Sequence, residues 1–254
     1  MKTNNIPKHD CTSYGHLTRV LDLLTTRDTP PRNYFYAAYE LRCGIEARLK
    51  QYLSVQKDLP KKLKKGWRIA VLGKGTEQLF KTRDHILRFK MTNTRTRKAC
   101  VLLYTPVGRD LHKMGEQLGN FLHNLWDEDT SSLEWWDNFR TLVADATAGL
   151  FRANVGTLLG PPLVRDEGKE MQIAHNFSHQ EATDAYLEDF GGNDMFDISS
   201  SWYRSFSEFD VYEIFNSRLT PYFRSFSKWI GKEESHQSFP PYAPPAAGVA
   251  SGEV

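Results

Sequence analysis

Arg42 and Glu46 lie four residues apart in PRNYFYAAYELRCGIEARLKQYLSV, residues 31–55, and a four-residue step sets two side chains on one face of a helix. The plain reading is an ion pair at the rim of a buried surface. The chemical reading is an arginine that contacts phosphate while Glu46 holds it in place. His123 closes a later helical stretch, LGNFLH. A histidine beside an apolar face more often serves as a satisfied core residue. If its helix packs on that of Arg42, however, Arg42, Glu46 and His123 converge in a polar cleft, a general acid–base set for metal-free RNA hydrolysis.

Other chemistry-bearing spacings are weaker. His175 and His179 are four apart with Glu181 nearby, but EMQIAHNF reads as a strand and the sequence holds no Glu-x-x-His frame, so no metal site is expected. Ser199, Ser200 and Ser201 sit outside any G-x-S-x-G elbow. Gly73-Lys74-Gly75-Thr76 lacks the G-x-x-x-x-G-K-[ST] form of a phosphate loop and reads as a loop or helix boundary. No motif asks for a cofactor. Cys11, Cys43 and Cys100 are odd in number and scattered, which fits a reducing compartment, with Cys43 buried on the long helix.

Charge is the strongest partner signal. The chain of 254 residues carries a net +2, with 40% hydrophobic and 25% charged residues, as a soluble globular protein does. That near balance hides a polarised chain. Residues 57–98 hold 14 Lys and Arg against three acids, whereas residues 99–254 hold 11 against 23. Lys61, Lys62, Lys64, Lys65 and Arg68, followed by Arg88, Lys90, Arg95, Arg97 and Lys98, would form one basic surface if the lysine loop lies near a hairpin tip, with Trp67 and Phe89 as stacking planes. The expected partner is RNA or another polyanion. The competing expectations are a solvated face, the protein's own acidic half, or the acidic half of a second copy.

The elements that must position these residues follow from periodicity. Phe35, Ala38, Leu41, Ile45, Leu49 and Leu53 form one helical stripe that starts behind Pro30 and Pro31. Residues 14–25 form a shorter helix antiparallel to it, and residues 67–82 a third, weakened by Gly73 and Gly75. Residues 86–91 and 99–104 alternate as strands around a basic connection, a hairpin within 85–107. Helices follow over 108–126 and from Leu133 to about Phe151, the latter capped by Thr130 or Ser131. Beyond these the pattern gives a strand over 170–177, an acidic helix over 180–190 stopped by Gly191-Gly192, a strand over 196–203 and a closing helix over 211–228. The expected fold is α+β: a loose start (1–13), a mainly helical bundle with an inserted β-hairpin (14–150), a mixed C-terminal extension (151–232) and a disordered tail (233–254). With no apolar run of about 20 residues and no apolar segment near the start, no membrane span and no secretory leader are expected, and the cytoplasm is the expected location.

Three tracts together resemble the HEPN superfamily of helical-bundle proteins. They are Ala37-Ala38-Tyr39-Glu40-Leu41-Arg42-Cys43-Gly44-Ile45-Glu46, Tyr104-Thr105-Pro106-Val107, and Leu118-Gly119-Asn120-Phe121-Leu122-His123, and the likeness spans residues 12–150. The resemblance implies a bundle of four or five helices, often dimeric, that binds or cleaves RNA in defence or toxin–antitoxin systems. Its nucleases carry Arg-x(4–6)-His. No pair here has that spacing: Arg83 and Arg109 stand too close to His85 and His112, and Arg165 too far from His175. The expectation is therefore an RNA-associated protein with doubtful cleavage. The alternative is a non-catalytic subunit that binds a protein through its acidic C-terminal half.

Overall fold

The computed structural model describes residues 10–24, 29–55, 68–123, 132–165, 170–176, 180–192 and 194–204. Helix α1 (Ser13–Leu24) runs into α2 (Pro31–Ser54), followed by α3 (Ile69–Phe80), β1 (Ile86–Asn93), β2 (Ala99–Tyr104), α4 (Arg109–His123) and α5 (Leu133–Val155). Strands β3 (Leu163–Arg165) and β4 (Glu170–Gln172), helix α6 (Gln180–Phe190) and strand β5 (Phe196–Tyr203) complete the order. The fold is α+β and mainly helical. No described helix is long and apolar enough to cross a membrane. The closing helix over 211–228, the tail from 233 and the lysine loop lie outside the described residues.

Helix α2 is the organising element. Pro31 opens it where a missing N–H costs nothing, and Tyr34, Ala37, Ala38, Leu41, Ile45, Leu49, Tyr52 and Leu53 are buried along it. So wide an apolar face needs several covers, and α2 packs against α1, α3, α4 and α5. At its N-terminal end Phe35 meets Trp135, Trp136 and Phe139 of α5 at centroid distances of 6.2, 5.7 and 5.2 Å. At the other end Tyr52 meets Phe80 at 6.3 Å and Tyr104 at 5.5 Å, tying α3 and β2 to the same core.

The sheet has the antiparallel order β2-β1-β5. Leu87, Phe89 and Met91 of β1 face the core, while Arg88, Lys90 and Thr92 alternate onto the other face. The C-terminal extension is thus not separate from the bundle's hairpin, because β5 pairs with β1 along all eight residues. The edge of β2 is covered: the amide of Leu158 donates to the Leu103 carbonyl at 2.8 Å, and Leu159 in turn donates to Ala174 at 2.8 Å.

Three local expectations are corrected. Gly73-Lys74-Gly75-Thr76 is neither a loop nor a boundary but the middle of α3. A Cβ on Gly73 would stand 2.3 Å from Cε1 of His112, so glycine lets α3 and α4 close together. The cap of α5 is Ser132, whose hydroxyl accepts from the Trp135 amide, and the helix runs to Val155. Cys43 is half-buried, not enclosed.

Candidate functional site: a polar cleft on the first two helices and a basic sheet face

The long helix presents different chemistry on its different sides. Toward α1 lies a cleft of about 880 Å³ lined by Asp10, Thr12, His16, Cys43, Glu46 and Lys50, among others. Behind it His16, Arg19 and Glu40 form a cluster on the α1–α2 seam. Nδ1 of His16 stands 2.6 Å from Oε2 of Glu40 and 2.8 Å from Nη2 of Arg19. A carboxylate at that range accepts, so Nδ1 carries the hydrogen, and Nη2 of Arg19 lies 3.0 Å from the same oxygen. Nε of Arg19 donates to the same Oε2 at 3.0 Å, and its Nη1 to the Asp10 carbonyl at 2.9 Å. The cluster joins two helices through one carboxylate. Its members were missed in the sequence, although two antiparallel helices joined by a short turn bring residues equidistant from that turn together, and 16 and 40 are such a pair.

Burial pushes the Cys43 thiol up, against a smaller opposing effect of its hydrogen bond with Tyr39. The shift favours the protonated thiol at neutral pH over the thiolate that a nucleophile needs. Among the described residues, no group of three His, Cys, Asp or Glu is placed to hold a metal ion. His175 packs on Tyr186 at a centroid distance of 4.6 Å, while His179 and the Glu181 side chain lie outside the described residues.

The structure gives the three residues of the acid–base set different surroundings. Glu46 pairs with Lys50, four residues on, rather than with Arg42, and it lines the α1 side of the cleft. Arg42 points toward α4: its Nη1 lies 1.7 Å from where a Cβ on Gly119 would stand, so the guanidinium rests on bare backbone. His123 is the exposed last residue of α4. Helices α2 and α4 do pack together, as the convergence required. No hydrogen bond or ion pair links the three side chains.

The ten basic residues divide into three groups. Lys61, Lys62, Lys64 and Lys65 lie outside the described residues; Arg68 is exposed immediately before α3. At the hairpin tip, Arg95 forks onto Asp194, with Nε to Oδ1 at 3.0 Å and Nη2 to Oδ2 at 2.8 Å, and Lys98 donates to Asp189 at 2.6 Å. Two tip cations are thus spent on the chain's own acidic half. Arg97 is exposed beside them in a left-handed conformation, φ 61°. Arg88 and Lys90 differ, since they stand side by side on the polar face of β1, opposite Ser201 and Ser199 of β5. Neither makes a salt bridge among the described residues. Asp197, opposite Thr92, is the acid nearest along that row.

No family model matches this chain, and neither does any curated protein or solved structure.

Proposed function

We propose that this protein is an RNA-associated, HEPN-like helical domain that binds the phosphate backbone and does not cleave it. The observation that carries the reading is the row of Arg88 and Lys90, cations that make no salt bridge among the described residues, flanked by Ser199 and Ser201 on the polar face of the sheet. Adjacent cations and hydroxyls on a sheet face can meet successive phosphates without reading bases. The pairing of Glu46 with Lys50 in place of Arg42, and the lack of Arg-x(4–6)-His, support binding over hydrolysis.

The test is binding of mixed-sequence single-stranded RNA at several salt concentrations. Each phosphate contact on a single strand adds about 0.7 to the slope of log K against log salt, so R88A/K90A should weaken binding and flatten the slope by about 1.4. K61E/K62E/K64E/K65E tests the lysine loop in the same assay. The triple variant R42A/E46A/H123A should bind as the parent does, and intact RNA should be recovered from both. Absence of binding at low salt sinks the reading, and RNA cleavage lost in the triple variant replaces it with a nuclease.

A second reading, interaction with a protein through the C-terminal half, is favoured by a different feature. Met195, Ile198 and Trp202 are exposed apolar side chains on or beside β5.

A further inference from the structure

Strand β5 ends the sheet order, and among the described residues it pairs with β1 alone. Edge strands are usually blunted by shortness, by charged side chains or proline, by a bulge, or by a covering helix or loop. Among the described residues FDISSSWY has one charge, Asp197, and no other such device: it is eight residues long, contains neither lysine nor proline, and keeps an unbroken register with β1. Its side chains alternate cleanly. Phe196, Ile198, Ser200 and Trp202 share the face of Leu87, Phe89 and Met91, while Ser199 and Ser201 share that of Arg88 and Lys90.

The apolar face runs out of cover at this strand. Leu87 and Met91 are 2% and 4% exposed, yet their register partners Trp202 and Ile198 are 43% and 47% exposed. Helix α6 shields the Phe196 end, where Phe190 stacks on Phe196 at 5.8 Å. The open stretch is therefore Ile198 to Trp202, and among the described residues nothing pairs with the backbone edge beside it.

We propose that β5 is a homodimerisation strand, its edge pairing antiparallel with β5 of a second copy about a two-fold axis at Ser200. The sequence is self-complementary in that register. Ile198 falls opposite Trp202 of the second copy, twice by symmetry, on the apolar face, and Ser199 falls opposite Ser201 on the polar face. Aromatic with β-branched is a favourable cross-strand pair, and no like charges meet, since Asp197 faces Tyr203. Neighbouring registers are poorer: centring on Ser201 sets Ile198 against Arg204, and centring on Ser199 sets it against Ser200. The product is one six-stranded sheet that continues the core layer across the axis. This inference stands on the strand's edge and apolar face and does not need the protein to bind RNA.

The test uses the full chain. Sedimentation and native mass measurement across the micromolar range should show a dimer, and I198D/W202D should be monomeric with an unchanged circular dichroism spectrum. A disulfide trap fixes the register. With Cys11→Ser removing the exposed thiol, Ser200→Cys should form a disulfide-linked dimer under mild oxidation about tenfold faster than Ser199→Cys, because a residue on the axis faces itself, whereas its neighbour meets its own copy only diagonally at about 7–8 Å. A monomer at every concentration overturns the proposal, including one whose β5 amides are protected from exchange by another part of the chain. So does a dimer that survives I198D/W202D, equal trapping at both positions, or a different protein released by I198D/W202D.

Discussion

Arg48 donates from Nη2 to the carbonyl oxygen of Gly156 at 2.6 Å, a cation in the core that makes no salt bridge to a carboxylate among the described residues. The residue is 3% exposed. Its Nε also reaches the Ala153 carbonyl at 2.9 Å and the Tyr52 hydroxyl at 3.0 Å. The counter-charge is the C-terminal end of α5, where the last carbonyls lack helical partners and the helix dipole is negative. Tyr52 extends the network by donating to the Thr105 carbonyl, while the Thr105 hydroxyl donates to Ala153 at 2.9 Å and accepts from the Gly156 amide at 3.0 Å. Arg48 thus fixes the end of α5 and, through Tyr52, the exit of β2.

Removing that side chain should be costly. Arg48→Met leaves the Gly156 carbonyl unpaired in the core and takes one hydrogen bond each from the Ala153 carbonyl and the Tyr52 hydroxyl, and the expected loss is about 3 kcal/mol in urea unfolding. Arg48→Lys keeps the charge but cannot span both carbonyls, so it should fall between the two. A methionine variant within 1 kcal/mol of the parent would show that the network does not hold α5 in place.

How much of this was legible depended on where the partners lie. The apolar stripe of α2, the hairpin, the acidic helix stopped by Gly191-Gly192 and the strand over 196–203 were readable because periodicity and turn residues act locally. The role of Arg48 was not, because its partners are backbone carbonyls 105 and 108 residues away, which side-chain patterning does not encode. The Arg42–Glu46 pairing went astray although a signal existed: Glu46 also has Lys50 four residues ahead, and glutamate preceding lysine is the better helix order. The basic tract could be read as charge, but that Arg95 and Lys98 are neutralised by Asp194 and Asp189 follows only from β5 folding back on β1.

The glycine in α3 offers a sign reversal. Alanine for glycine inside a helix normally stabilises by about 1 kcal/mol. At Gly73 the new Cβ would meet the half-buried His112 ring at 2.3–2.7 Å, so Gly73→Ala should instead destabilise by about 1–2 kcal/mol. In a His112→Ala background the obstacle is gone, and the same change should turn neutral or stabilising. A double-mutant cycle by chemical denaturation reads the coupling directly. Stabilisation by Gly73→Ala alone would mean that the two helices do not approach as closely as described.

Acid should release the hairpin tip before the core. Arg95 and Asn93 both donate to Asp194 and hold its carboxyl at about 2, below the ordinary 3.8. A carboxyl depressed in the folded state stabilises fully above its unfolded value, and the contribution fades as pH falls through the folded one. The window is therefore from about pH 4 down to about pH 2. The tip amides report on it, since Arg95 and Thr96 donate their N–H groups to Oδ1 of Asn93 at 2.9 and 3.0 Å, and the Asn93 amide nitrogen is anchored on Asp194. Hydrogen exchange corrected for intrinsic rates should show these two amides losing protection across that window. In Asp194→Asn, where the Asn93 side chain keeps its bond to the Asp189 carbonyl at 2.9 Å, they should be less protected than in the parent at neutral pH and change little across that window. Other carboxylates titrate in the same range, so the decisive quantity is the difference between parent and variant at these two amides. Identical profiles would show that Asp194 does not organise the tip.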